Sequence, residues 1–232
     1  MKSIAWETRL VDGVTKRRKT FAFRLLLVLL PSLLAAVYYG IFAADQYVSE
    51  ASFIVRDAAD QAASPGLAQL AAQNRASNAA MVMRDYLLSR DALHQIEVTL
   101  NLRQAWAGEE RDPFTRFPPN GSEEALFGRY NDRVSVVVDS GSVVTLKAQA
   151  FTPRDARAIA QQLIAAAVST AARLSDGGRL AVIVLVAPDL PDRPAEPRRA
   201  RSTLTIFGFN LIFVAMAWLI GTGLSEHAAK DR

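Results

Sequence analysis

Cysteine is absent, which excludes disulfides, thiolate metal sites and cysteine nucleophiles. Histidine occurs only twice, at His94 and His227, and neither has a second histidine at ligand spacing. His94 therefore reads as a surface or half-buried residue. There is no phosphate-binding glycine loop, no histidine pair on one helix and no serine in a nucleophile-elbow context. Glu123 and Glu124 are adjacent and point different ways on a helix, so they make poor acid–base partners. These absences argue against an enzyme, and neither cofactor nor metal is expected. The net charge of +4 is modest. Its basic residues concentrate beside two apolar runs rather than along a soluble face, which argues against nucleic acid as a partner.

Charge itself is missing from two long stretches, Leu25–Ala44 and Ser202–Ser225. As helices at about 1.5 Å per residue, each can cross a hydrocarbon core roughly 30 Å thick. Residues 1–24 hold seven basic side chains, among them Lys16, Arg17, Arg18 and Lys19, which keeps this end cytoplasmic. Such a cluster serves either as a solvated tail or as a contact for anionic lipid or a cytoplasmic partner. The basic lead is long, and Ile41-Phe42-Ala43-Ala44 lacks small residues at both cleavage positions, so the first run reads as a retained anchor. Six segments result: a cytoplasmic basic N-terminus (1–20), a transmembrane helix (21–44), a periplasmic domain (45–187), a Pro/Arg-rich connector (188–201), a second transmembrane helix (202–225) and a cytoplasmic tail (226–232).

Small residues recur every fourth position in the first span, at Ser32, Ala36, Gly40 and Ala44, a spacing that lets helices approach closely. Pro31 is expected to kink that helix. In the second span Ala217 and Gly221 form a weaker stripe, and the Asn210 amide requires a partner. Both spans are therefore expected to pack against other helices.

Between the spans, Tyr47–Arg56 alternates as a strand. Asp57–Pro65 reads as a loop and Ala68–Arg75 as a short helix. Ser77 is placed as the cap of a helix over Asn78–Leu88, and Ser89 with Asp91 starts another to about Leu102. Val82, Tyr86, Leu93, Ile96 and Leu100 are assigned to the core. Residues 108–122, broken by Pro113, Pro118, Pro119 and Gly121, form a loop, followed by a helix over Glu123–Tyr130. Arg133–Asp139 and Val143–Ala150 make a β-hairpin through Ser140-Gly141-Ser142. Thr152, Pro153 and Asp155 open a helix carrying Ile159, Leu163, Ile164, Ala167 and Val168, which stops at Asp176-Gly177-Gly178. Arg179–Ala187 is apolar on both faces and is expected to be a central strand. The order implies an α+β sandwich, a mixed sheet with helices on one face. Its first and last strands lie close together, because each continues into a span. Pro188, Pro191, Pro194 and Pro197 recur every third residue, as in a stiff extended connector. It leads to Arg198, Arg199 and Arg201, candidate contacts for lipid phosphate or an anionic polymer, with Arg116 a further candidate.

Several short stretches carry a family likeness. They are Tyr47-Val48-Ser49-Glu50-Ala51 with Phe53-Ile54-Val55-Arg56, Ser89-Arg90-Asp91-Ala92-Leu93, and Asp112 with Phe114 and Arg116-Phe117-Pro118. Ala150-Phe151 with Asp155-Ala156, Pro188-Asp189-Leu190-Pro191, Pro197-Arg198-Arg199 and Glu226-His227 complete the set. In this order the chain resembles the inner-membrane proteins of bacterial capsule-polysaccharide export, relatives of the polysaccharide co-polymerases and chain-length determinants. The resemblance implies a non-catalytic, homo-oligomeric ring. Its partners would be ABC transporter subunits, an outer-membrane polysaccharide exporter, anionic polysaccharide and membrane lipid. The family's long helical hairpin, expected between the Pro153 helix and the last strand, is absent or shortened here. The contact with the exporter usually attributed to that hairpin is correspondingly in question. A chain-length regulator acting on a polymerase shares the architecture, and a two-span periplasmic sensor is the third reading.

Overall fold

In Tyr47–Asp57 every second residue, Ser49, Ala51, Phe53 and Val55, is buried and those between are more exposed, and that period of two makes it the long strand β1. The computed structural model describes residues 27, 29–57, 67–107, 112, 115–118, 120–139, 142–174 and 180–230, with the last helix's side chains described to residue 219. The chain divides into two compact units, Ala44–Glu196 and a second built from the residues up to Ala43 and from Pro197 onward. The basic N-terminal segment, most of the loop after Asp57, Ser140-Gly141, and the helix stop at Asp176-Gly177-Gly178 lie outside the described residues.

In the Ala44–Glu196 unit, β1 joins β2 (Val134–Val138), β3 (Val143–Ala150) and β4 (Leu180–Val186) in a four-stranded sheet of order β2-β3-β1-β4. All three pairings are antiparallel, so the sheet is not the mixed one expected. Helices α2 (Leu67–Leu87), α3 (Arg90–Leu100), α5 (Glu123–Arg133) and α6 (Pro153–Leu174) supply the second layer, with short α4 (Leu102–Ala105) between α3 and the loop. One sheet face, through Ala51, Phe53, Val55, Val136, Val144 and Leu146, joins Met83, Leu87, Ile96, Ile159 and Leu163 in a single core. The opposite face carries the Lys147–Glu50 ion pair at 3.0 Å, formed by residues directly opposite in the ladder.

Local chemistry sets the helix ends. The Thr152 hydroxyl accepts from Asp155 N–H at 3.1 Å and donates to the Asp155 carboxylate at 2.7 Å, which fixes the start of α6 as the sequence predicts. Ser89 caps α3 and Ser122 caps α5. Asn101 takes φ 49° and serves both as the end of α3 and as the cap of α4.

Four expectations are corrected. Ser77 caps nothing: α2 runs unbroken through it, and its hydroxyl bonds that of Ser142 at 2.8 Å instead. An Ala-rich stretch on either side keeps the helix going. Val82 is 53 % exposed rather than in the core, while Ala80 and Met83 take the inward positions on α2. β4 is an edge strand, not a central one, although β1 and β4 do pair. The proline tract is bent at Asp192–Arg193 and strapped along the start of β1 rather than extended freely. Ser49 Oγ donates to Asp189 O at 2.8 Å, and Glu50 N–H donates to Asp189 Oδ1 at 3.1 Å. Prolines have no N–H for a ladder, so backbone pairing resumes only at Ala195 and Glu196, both bonded to Gln46.

In the second unit, α1 (Leu29–Phe42) ends in a π-helical turn over Tyr38–Phe42, and α7 spans Arg199–Lys230. This π-turn is an irregularity in α1 several residues beyond Pro31.

Candidate assembly and anion-contact surfaces

The loop after α4 is anchored from inside. Asp112, 1 % exposed, accepts from Ala44 N–H at 3.0 Å, from Thr115 N–H at 3.1 Å and from the Thr115 hydroxyl at 2.5 Å. A carboxylate is the natural group here because it is acceptor-only and meets several converging donors. Next to it the Arg133 guanidinium is 5 % exposed, donates from Nη2 to Thr115 O at 3.0 Å and stacks on Phe151 at 4.7 Å. Burial pushes the Arg133 pKa down to about 10, with Arg129 adding to the shift and Asp112, Asp132 and Glu196 opposing it. Phe117 is buried, its N–H bonded to Trp106 O at 2.8 Å. A Cβ at Gly121 would lie 2.4 Å from the Phe117 ring, so glycine is what lets the loop close over it. Trp106 is fully buried and donates from its indole to Gln149 O at 3.0 Å.

Arg116 projects outward from this anchored loop and is exposed. Asp112, Arg133 and Trp106 were not singled out as structural from the sequence. Asp112 and Phe117 appeared there only as family-like residues, and the structure gives them the task of holding the loop that presents Arg116.

In the other unit, Arg198 precedes α7, and Arg199 and Arg201 lie in its first turn; all three are exposed. Arg199 Nη1 donates to Gly40 O at 3.0 Å. Asn210 Nδ2 reaches Ser32 Oγ at 3.5 Å, a long contact that supplies the expected amide partner. Thus Ser32 is buried facing Asn210 of α7, whereas Gly40, Ala36 and Ala217 are exposed and Ala44 lies beyond the end of α1. The side-chain surroundings of Gly221 fall outside the described residues. Arg199–Leu219 is long and apolar enough to cross a membrane, and α1 is a shorter apolar helix among the described residues.

Edge strand β4 presents a different surface. Ile183, Val184, Leu185 and Val186 are 40–54 % exposed, and on the other edge Val137 is 56 % exposed. His94 is exposed on α3. No group of three or more potential metal ligands occurs among the described residues.

These features define an α+β domain whose chain continues into an apolar helix able to span a membrane. No family model matches the chain. It is 34 % identical over 176 residues to the capsule polysaccharide export inner-membrane protein BexC of Haemophilus influenzae, covering 71 % of this chain and 47 % of that one. The protein CtrB of Neisseria meningitidis, of the same description, is 30 % identical over 144 residues, 59 % of this chain and 37 % of its own. KpsE of Escherichia coli is 24 % identical over 132 residues, 55 % and 35 % respectively. The chain is a relative of the capsule polysaccharide export inner-membrane proteins. It spans less than half the length of the curated relatives it matches.

Proposed function

We propose that this chain is a non-catalytic, oligomeric inner-membrane scaffold for capsular polysaccharide export. The observation that carries the reading is the 34 % identity over 71 % of the chain to a protein described by that export role. In this reading the chain crosses the membrane twice, both termini are cytoplasmic and the Ala44–Glu196 unit is periplasmic. The 21-residue stretch Arg199–Leu219, long and apolar enough to cross a membrane, supports the second crossing. The uncharged run Leu25–Ala44 supports the first. ABC transporter subunits and an outer-membrane exporter are its partners. Ser32, Ala36, Gly40, Asn210, Ala217 and Gly221 serve helix packing, whereas Ala44 lies beyond the end of α1. Arg116, Arg198, Arg199 and Arg201 contact anionic polysaccharide or lipid head groups.

Deleting the gene and restoring it on a plasmid tests this. Loss of surface polymer, recovered on complementation, is the expected result. Normal amounts of polymer with an altered length distribution would replace the reading by a chain-length regulator. Normal polymer with a lost transcriptional response would replace it by a sensor.

A further inference from the structure

An edge strand usually carries a charge, a proline or a cover that stops it pairing with another chain. β4 (Leu180–Val186) and β2 (Val134–Val138), the two edges of the sheet, contain neither charge nor proline. Among the described residues β4 pairs only with β1, and β2 only with β3. The four exposed residues at the end of β4 present on the order of 300 Å² of apolar surface, near the largest patch a typical monomer leaves uncovered. That is roughly a third of one side of a standard protein interface, and backbone hydrogen bonds along the strand would add to it.

Strand polarity indicates what covers this edge. β1 runs antiparallel to β3 and β4, and β3 runs antiparallel to β2. β2 therefore runs with β1, and β4 against it, so the two edges of the sheet have opposite polarity. Repeating one copy beside the next by a small rotation, as any ring of more than a few subunits requires, brings β4 of one copy to β2 of the next in antiparallel pairing. Pairing β4 with β4 needs a half-turn and closes at two copies. A sheet with an even number of antiparallel strands is thus able to propagate around a ring, and both of its edge strands lack charge and proline. We propose that β4 is the docking edge for β2 of a second copy of this chain, so that the sheet continues from subunit to subunit. This rests on the oligomeric scaffold reading above.

The absence of native cysteine gives a clean background for the test. Val137→Cys is combined with Ile183→Cys or Leu185→Cys in the full chain, in native membranes, and the membranes are oxidised. The double variants are expected to give a ladder of dimer, trimer and larger species on non-reducing gels, with no dimer from any single variant. A dimer from Leu185→Cys alone would overturn the proposal in favour of a two-fold contact. So would a cross-link to a different protein. No ladder, while native mass spectrometry shows a high-order assembly, would sink the edge contact and leave the scaffold reading standing. A monomer by native mass would remove both. As a second readout, Leu185→Lys is expected to abolish the assembly while leaving the unfolding temperature unchanged. An intact assembly in that variant would also overturn the proposal.

Discussion

At the residue scale, several polar side chains are buried beside the apolar core and bonded there. Asp112 gathers three donors, including the amide of Ala44 at the first residue of the unit. Asp112→Ala leaves those donors buried without their acceptor and is expected to cost about 2–3 kcal/mol, read as a lower midpoint in chemical denaturation. Tyr130 is fully buried and donates its hydroxyl to Leu87 O. Burial is the main force pushing its pKa up, with nearby Tyr86 adding to it. A raised folded-state pKa means that the contribution is fully present below the unfolded value, about 10, and is lost as pH rises past it. Denaturation series across that range are expected to show a stability loss in the parent chain. Tyr130→Phe removes the Tyr130 share of it, while losing about 1 kcal/mol at neutral pH from the broken hydrogen bond.

At the element scale, two hydroxyl residues that look alike in sequence behave differently. Thr152 satisfies an orphan N–H at the start of α6, whereas Ser77 sits inside α2 with its hydroxyl on Ser142. Thr152→Ala is expected to destabilise by about 1 kcal/mol. Ser77→Ala is expected to cost less than about 0.5 kcal/mol, because better helix propensity offsets the lost side-chain bond. Equal losses in thermal unfolding would contradict the continuity of α2. Most element boundaries were legible because caps, turns and alternation are local features. Thr152-Pro153-Asp155, Ser89 and the Val143–Ala150 hairpin strand all fall where the sequence places them. The position of β4 was not legible. An apolar run on both faces is the signature of a central strand and equally of an edge that meets another chain, and periodicity alone does not separate these.

For the whole molecule, the proposed contact surfaces are the basic start of α7, the anchored loop bearing Arg116 and the β2 and β4 edges of the sheet. The triple reversal Arg198→Glu, Arg199→Glu and Arg201→Glu is expected to reduce surface polymer at least several-fold while leaving the unfolding midpoint of the Ala44–Glu196 unit unchanged, because all three side chains are exposed and lie outside that unit. Undiminished polymer would remove these residues from the proposed contact. Arg199 is the one of the three with a hydrogen bond to α1, at Gly40 O. Arg199→Lys keeps the charge, so export close to the parent level would assign the role to charge, and a loss would assign it to that bond.

The sequence by itself determined the two uncharged runs, the α+β order between them, the principal helix starts and the likeness to the capsule polysaccharide export inner-membrane proteins. Each rests on residues near one another in the chain, or on composition summed over a window. Only the tertiary structure decided the strand order, the edge position of β4, the strap of the proline tract along β1 and the burial of Asp112 and Arg133. These depend on pairing residues far apart, such as Ala44 with Asp112 and Ser49 with Asp189. No local pattern encodes which of several chemically suitable partners a buried donor or a free strand edge will meet, because that choice is made by the packing of the whole sheet against its helices.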